Sequence, residues 1–202
     1  FSGLDETELE RLSRGAARRR AGRGEQVVRA GENADALLIL LTGRAKVTNF
    51  DEEGREIILA WLGPGEFFGE MGLIDGSPRS ASVVAVENCE LLSIGKNEFQ
   101  RCMQDNFQVV LKLMQILVRR LRDADRNIES LALLDVYGRV ARLLLDMSEE
   151  EGGKRMVKQK ISKQDMARMI GASREMVSKV MRDLEIGGYI VTNGDQITIT
   201  GA

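Results

Sequence analysis

One change of period, near Asn97, limits what this chain can fold into. From Gln26 to Ile94, short apolar runs at Val27-Val28 and at residues 36–41, 44–50, 55–62, 81–86 and 89–94 are cut by turn signals. These lie at Gly31, Gly43, Asp51 to Gly54, Gly63-Pro64-Gly65 and Asp75-Gly76. That is roughly the 8 to 12 residue spacing of a small barrel or sandwich, so the stretch predicts a β-roll. Beyond Asn97 the apolar positions recur with a helical period, and residues 107–134 contain neither proline nor glycine. Strands gathered first and helices after them predict an α+β fold. Ahead of the strands, Asp5 and Glu8 form a capping-box pattern that predicts a short helix through Leu9, Leu12 and Ala16.

A length of 202 residues suits two domains, and 43% hydrophobic with 30% charged residues gives enough apolar mass to bury two cores. No run of about 18 apolar residues exists, so no membrane partner is expected. The chain opens on Phe1 without an apolar leader, which reads as a trimmed cytoplasmic protein. A net charge of −2 argues against diffuse nucleic-acid binding, so any DNA contact must be local. Cys89 and Cys102 lack metal-ligand spacing and read as thiols in a reducing compartment. Histidine is absent, which removes the commonest metal ligand, general base and haem ligand, and two cysteines cannot hold a four-thiolate cluster. The expectation is a binding protein without metal, haem or iron–sulfur cluster, and not an enzyme.

Residues 69 to 81 read Gly-Glu-Met-Gly-Leu-Ile-Asp-Gly-Ser-Pro-Arg-Ser-Ala. Glycines let backbone N–H groups turn toward an anion, and Arg79 can meet a phosphate through two parallel hydrogen bonds. Ser80 adds a hydroxyl, and Glu70 can accept from a sugar hydroxyl. A plain hairpin loop accounts for the Gly-Glu or the Arg-Ser pair alone, but poorly for the whole spacing. The stretch resembles the phosphate-binding cassette of cyclic-nucleotide-binding domains, in which Gly-Glu and Arg-Ser flank a short helical turn. It falls between the strand ending near Leu62 and the one starting at Ala81, where Val47, Leu59 and Ala60 can wall a pocket for a base or sugar. The same three residues also suit a barrel core.

Within residues 107–134, Val110, Met114, Leu117, Leu121, Ala124, Ile128 and Leu131 alternate in steps of four and three, which is a heptad seam. At ~1.5 Å per residue the stripe is about 30 Å long, more than one helix needs to sit on a small barrel. Leu113, Val118 and Ala132 widen the face and can pack on the helix's own barrel, leaving the seam for a parallel homodimer; a helix packed wholly within one chain is the alternative.

Leu133-Leu134-Asp135 ends that helix, and Asp135 is a good N-cap for a helix over 136–147. The predicted domains are therefore 1–106, a β-roll; 107–134, a dimerisation helix and hinge; and 135–202. Glu149 to Gly153 reads as an acidic loop, followed by basic residues at 154, 155, 158, 160 and 163. From Ser162 the punctuation is that of a helix-turn-helix. Ser162 caps a helix with Met166, Met169 and Ile170 inward, Gly171 turns the chain, and Ser173 caps a helix with Val177, Val180, Met181 and Leu184 inward. The second helix turns Arg174, Glu175, Ser178, Lys179 and Arg182 outward, chemistry suited to base edges in the major groove. A pair of structural helices would share the apolar pattern but not that outward face. Residues 187–191 and 196–200, around Asn193-Gly194-Asp195, predict a two-stranded wing.

With both motifs in place, the chain resembles the cyclic-AMP receptor protein branch of the bacterial Crp/Fnr-type regulators over almost all its length. The resemblance implies an N-terminal cyclic-nucleotide-binding β-roll, a long dimerisation helix and a C-terminal winged helix-turn-helix. It implies that Gly69, Glu70, Arg79 and Ser80, with backbone groups of Met71 and Ala81, hold the ribose and cyclic phosphate of an effector, cyclic AMP first. Arg120 matches an arginine close to the cassette glutamate. Arg174, Glu175 and Lys179 match base-reading positions, and Ser162, Lys163, Gln164 and Ser173 match phosphate contacts on double-stranded DNA. A homodimer reading a palindromic TGTGA-like site, with RNA polymerase as partner, follows from the same resemblance. Departures fall on the base. Ala124-Asp125 stands where the family has Thr-Ser, and Ala60 where it has serine; Asp125 can accept from an adenine amine, pair with the N–H edge of guanine, or face solvent. Cyclic GMP, cyclic di-GMP or no ligand at all are the other effector readings, and a sensor module acting on a protein partner is the other class.

Overall fold

The computed structural model describes residues 15–200, so the expected helix at Asp5, Glu8, Leu9 and Leu12 lies outside the described residues. Ala16, assigned to that helix, instead opens β1 (Ala16–Ala21). Its Arg18-Arg19-Arg20 run shows no apolar alternation, yet β1 pairs in full register with β8, from Ala16 opposite Ile94 to Ala21 opposite Cys89. Partnership across the sheet, rather than local propensity, makes this a strand.

The chain divides into two compact units, Phe1–Arg119 and Arg120–Ala202. The first carries two four-stranded antiparallel sheets, ordered β1-β8-β3-β6 and β2-β7-β4-β5. The strands are β2 (Gln26–Val28), β3 (Ala36–Thr42), β4 (Ala45–Phe50), β5 (Glu56–Leu62), β6 (Phe67–Phe68), β7 (Ser82–Ala85) and β8 (Cys89–Gly95). Between the sheets lies one core that draws on every strand, including Ala21, Val28, Leu38, Leu40, Ala45, Leu62, Phe68, Val83, Ala85 and Leu91. β3 reads as an unbroken apolar run because both its faces are covered. Leu38 and Leu40 enter that core, while Leu37 and Ile39 join Phe67, Leu73, Ile94, Phe99 and Leu113 in a second cluster beneath the helices. Those helices are α1 (Met71–Asp75), α2 (Lys96–Asp105) and the start of α3 (Phe107–Leu133).

The second unit builds its core from Val140, Leu143 and Leu144 on α4 (Val136–Asp146), Met166, Ala167 and Ile170 on α5 (Lys163–Ile170), and Val177, Val180, Met181 and Leu184 on α6 (Arg174–Ile186). Asp135 caps α4 by accepting from the Gly138 amide at 2.8 Å. The sheet is larger than the two-stranded wing expected: β9 (Glu149–Glu151) and β10 (Lys154–Val157) join β11 (Ile190–Asn193) and β12 (Gln196–Ile199) in the order β11-β12-β10-β9. The acidic segment read as a loop is thus the edge of this sheet. Gly152 and Gly153, at φ 59° and 75°, supply the two left-handed residues that a two-residue hairpin requires. Lys158 then holds Glu151 at 2.8 Å, which pushes the lysine pKa up. No helix among the described residues is long and apolar enough to cross a membrane.

Candidate functional site

The cassette is organised around a buried arginine. Arg79 is 7% exposed, and its Nη1 donates to the carbonyl of Gly69 at 2.6 Å. Nη2 donates to the carbonyl of Ala36 at 2.8 Å and to the exposed carboxylate of Asp35 at 3.2 Å. The guanidinium is therefore fixed to the backbone on both sides of the loop, and its planar fork suits that bridging. Glycine at 69 is a requirement of this contact. Its φ is 84°, and a Cβ there would sit 2.1 Å from Arg79 Nη1. Glu70, the N-cap residue of α1, is buried at 3% exposure, and its carbonyl accepts from Leu73 and Ile74.

Around this rigid base two cassette side chains stay open to solvent. Met71 and Ser80 are exposed, with Ser80 Oγ 3.6 Å from Met71 Sδ, and Ala81 is buried. Asn49 on β4 donates to the Ser80 carbonyl at 3.2 Å, fixing the tip to the neighbouring strand. Of the apolar wall, Val47 is half-buried and packs on the barrel core, whereas Leu59 and Ala60 are exposed. A register shift between Val47 and Thr48 leaves Leu59 without a partner opposite it, with Ala60 facing Val47 and Ile58 facing Thr48. Among the described residues no group of three His, Cys, Asp or Glu is placed to hold a metal ion.

Helix α3 carries the residues expected at the ligand's far end and at the seam. Arg120 is half-buried, while Ala124 and Asp125 are exposed. Leu113 belongs to the first unit's helical cluster, Ile116 and Leu117 pack against it, and Val109 is buried as well. Val118 was expected to pack there with Leu113 but is 49% exposed, and Ala132 is exposed as well, because Leu113 and Leu117 face the cluster and 118 lies beyond their stripe. Of the seam residues, Met114, Leu121, Ala124, Ile128 and Leu131 are exposed, whereas Val110 and Leu117 are half-buried. Of the large exposed residues on α3, Phe107, Leu111, Met114, Val118, Leu121 and Ile128 fall in four-three steps with Asp125 at the one step between the last two, while Leu131 and Leu133 lie off that series.

In the second unit the capping residues stand as the sequence predicts. Ser162 accepts from the Asp165 amide at 3.0 Å and donates its hydroxyl to the Asp165 carboxylate at 2.7 Å. Ser173 accepts from the Met176 amide at 3.2 Å, and Gly171 closes α5. Lys163 and Gln164 are exposed at the start of α5. Arg174, Glu175 and Lys179 project from α6, Ser178 is half-buried, and none of the three charged residues enters an ion pair or hydrogen bond among the described residues. Arg139 was missed from sequence. Its Nη1 donates to the carbonyl of Ile170 at 2.7 Å, tying α4 to the turn between α5 and α6. The available signal was a cation on the buried face of α4, beside Val140 and Leu143. Asp35 and Asn49, which orient the cassette, carried no comparable signal.

Comparison with known proteins agrees with this geometry. The cyclic nucleotide-binding domain family matches residues 18–106, and the Crp-like helix-turn-helix domain family matches residues 138–201. The cAMP-activated global transcriptional regulator CRP of Haemophilus influenzae is 36% identical over 180 residues, covering 87% of this chain and 80% of that protein. The cAMP-activated regulator Vfr of Pseudomonas aeruginosa is 34% identical over 200 residues, covering 96% and 94%. Among solved structures, the c-di-GMP-responsive global regulator CLP of Xanthomonas campestris superposes with a TM-score of 0.83 at 30% identity, covering 98% of this chain and all of that one. These matches run through both units, and the chain accordingly belongs to the Crp family of cyclic-nucleotide-responsive, helix-turn-helix transcription regulators.

Proposed function

We propose that this regulator is a homodimer whose affinity for a palindromic DNA site is set by a cyclic nucleotide held at Gly69, Glu70, Met71, Arg79, Ser80 and Ala81. The observation that carries the reading is Arg79, a buried cation bound to the Gly69 and Ala36 carbonyls and so already in place beside the exposed Ser80. A phosphate meeting it loses little to reorganisation. Val47, Leu59 and Ala60 offer the wall for the ligand's apolar face, and Arg120, Ala124 and Asp125 are the contribution of α3. By inheritance from its relatives, cyclic AMP is the reference effector, while the c-di-GMP-responsive relative makes a guanine ligand the second reading.

The β-roll of 1–106, the helix of 107–134 and the DNA-binding part of 135–202 then act in sequence. Ligand biases α3, the hinge at residues 133–135 transmits the bias, and the two copies of α6 are set for adjacent half-sites. Arg174, Glu175 and Lys179 read bases, with Ser178 beside them; Ser162, Lys163, Gln164 and Ser173 hold phosphates. Work of this kind belongs in the cytoplasm with RNA polymerase as partner. Calorimetry of the purified protein against cyclic AMP, cyclic GMP and cyclic di-GMP, beside a DNA mobility-shift titration with each, tests it. Nucleotide binding that vanishes in Arg79→Leu is expected; DNA binding indifferent to all three nucleotides would defeat the gated reading.

A further inference from the structure

Lys46 on β4 and Glu56 on β5 form an ion pair at 2.6 Å, with side chains only 13% and 12% exposed. The two residues are not opposite each other. Lys46 faces Trp61 and Glu56 faces Phe50, so the pair reaches across the register shift between Val47 and Thr48. Its geometry depends on that shift. If the pairing of Lys46 with Trp61 and Val47 with Ala60 continued without it, Thr48 would face Leu59 and Phe50 would face Ile57. Glu56 would then stand on the opposite face of the hairpin from Lys46, because a slip of one residue exchanges the faces of a strand. The bulge therefore brings the carboxylate to the ammonium and, in the same step, releases Leu59 from a partner. Between the two ends of the ion pair lies Thr48, fully buried, with its Oγ1 lacking a hydrogen-bond partner among the described residues. An unpaired hydroxyl buried at the shift costs stability, and β5 stands at the end of its sheet with a ladder on one side, so this register needs a further contact to favour it.

We propose that Lys46 and Glu56 are positioning residues whose ion pair selects the bulged register of β4–β5 and thereby sets the apolar wall that Val47, Leu59 and Ala60 offer a nucleotide; the inference rests on the nucleotide-gated reading above. A buried ion pair adds little net stability, since the hydration it gives up nearly offsets the attraction, and its best-attested use is to fix one register against another. This hairpin meets that description. In the bulged register Val47 and Ala60 stand opposite each other, Val47 packs on the barrel core, and Leu59 beside Ala60 is the extra, re-aimed residue. In the unshifted register Leu59 returns to the face of Lys46, opposite Thr48, and the wall keeps Val47 and Ala60 alone. The slip also puts Lys46 and Glu56 on opposite faces, each deprived of the other, and that penalty holds the hairpin where it is.

NMR contacts between backbone protons of β4 and β5 read the register, and calorimetry of the full chain with cyclic AMP and cyclic GMP reads the wall. In the unsubstituted protein Thr48 should contact Ile58 across the strands. Lys46→Met keeps most of the apolar stem and removes the charge; it should move that contact to Leu59 and weaken nucleotide binding by about tenfold, the scale of one apolar side chain lost from a site. The doubly apolar variant, Lys46→Met with Glu56→Leu, should do the same although it leaves no charge buried, whereas a pair that served stability alone would leave register and affinity unmoved there. The reversed pair, Lys46→Glu with Glu56→Lys, should restore both. Thr48 still contacting Ile58 in the doubly apolar variant overturns the register assignment, and so does a reversed pair that restores neither property. A moved contact with unaltered affinity overturns the link to the wall. Failure of both nucleotides to bind the unsubstituted protein defeats the reading of the site and the wall with it, while the NMR contacts alone still decide the register.

Discussion

On the proposed reading the cassette and helix α6 each offer an arginine to an anionic partner, and they are built in opposite ways. Arg79 is nearly sealed, with two backbone carbonyls and a carboxylate as partners, whereas Arg174 is exposed with none among the described residues. A small ligand needs a site shaped before it arrives, since each group it must order costs affinity. A DNA groove instead needs side chains free to meet base edges, and helix α6 supplies rigidity through its buried face of Val177, Val180, Met181 and Leu184. At the cassette, then, fold and function share the same atoms. On the recognition helix they sit on opposite faces.

The sharpest way to break that contrast is Gly69→Ala. A methyl group there meets Arg79 Nη1 at 2.1 Å with the backbone at φ 84°. Strain and overpacking together should cost about 3 kcal/mol of stability, visible as a lower urea midpoint, and nucleotide binding should be lost with it. A variant of unchanged midpoint would mean that the loop is soft and the arginine not fixed. Arg79→Leu comes next. It leaves the Gly69 and Ala36 carbonyls without their donor at a cost of about 2 kcal/mol, and it removes the nucleotide response.

Arg174→Ala should behave in the other manner. It should cost about 1 to 3 kcal/mol of discrimination at one base pair in a mobility-shift series over point-substituted sites, with no change in thermal midpoint. A loss of stability comparable to that of Arg79→Leu would erase the distinction. Ser173→Ala tests the boundary between the two behaviours, because Ser173 caps α6 by accepting from the Met176 amide. About 1 kcal/mol of stability should go, together with a uniform weakening across DNA sequences rather than a relaxed preference at one position.

The two regions also differed in how far they could be read from the sequence. Capping and turn residues act locally, so Asp135, Ser162, Gly171 and Ser173 were legible one by one. The cassette's residues were legible as a set, but the partners that orient Arg79 were not. Asp35 and Ala36 lie more than forty positions away and meet it only because β3 runs beside the loop. Strand β1 and hairpin β9–β10 were missed for a related reason: a strand of arginines and a strand of glutamates have no apolar alternation, and their partners across the sheet decide them. The heptad on α3 was visible, but which stripe stays exposed depends on the cluster that Leu113 and Leu117 enter. That choice moves Val118 outward and brings Asp125 into line with the exposed residues.

A last and smallest effect reads the contrast through the two thiols. Cys89 is 3% exposed, and its thiol donates toward the carbonyls of Arg44 and Glu87 at 3.3 and 3.4 Å. Burial, the largest influence, pushes its pKa up from the ordinary thiol value, so near neutral pH it holds even less thiolate than a free cysteine. Cys102 on α2 is only half-buried. A maleimide at neutral pH should therefore label Cys102 first, with Cys89 reacting only through opening of the barrel core to which it belongs. Gly69→Ala weakens that same unit and should speed the labelling of Cys89, while Arg174→Ala should leave it where it is in the unsubstituted protein. Equal acceleration by both would show that the two units open together, and the separation of fold from function on α6 would not extend to the rest of the chain.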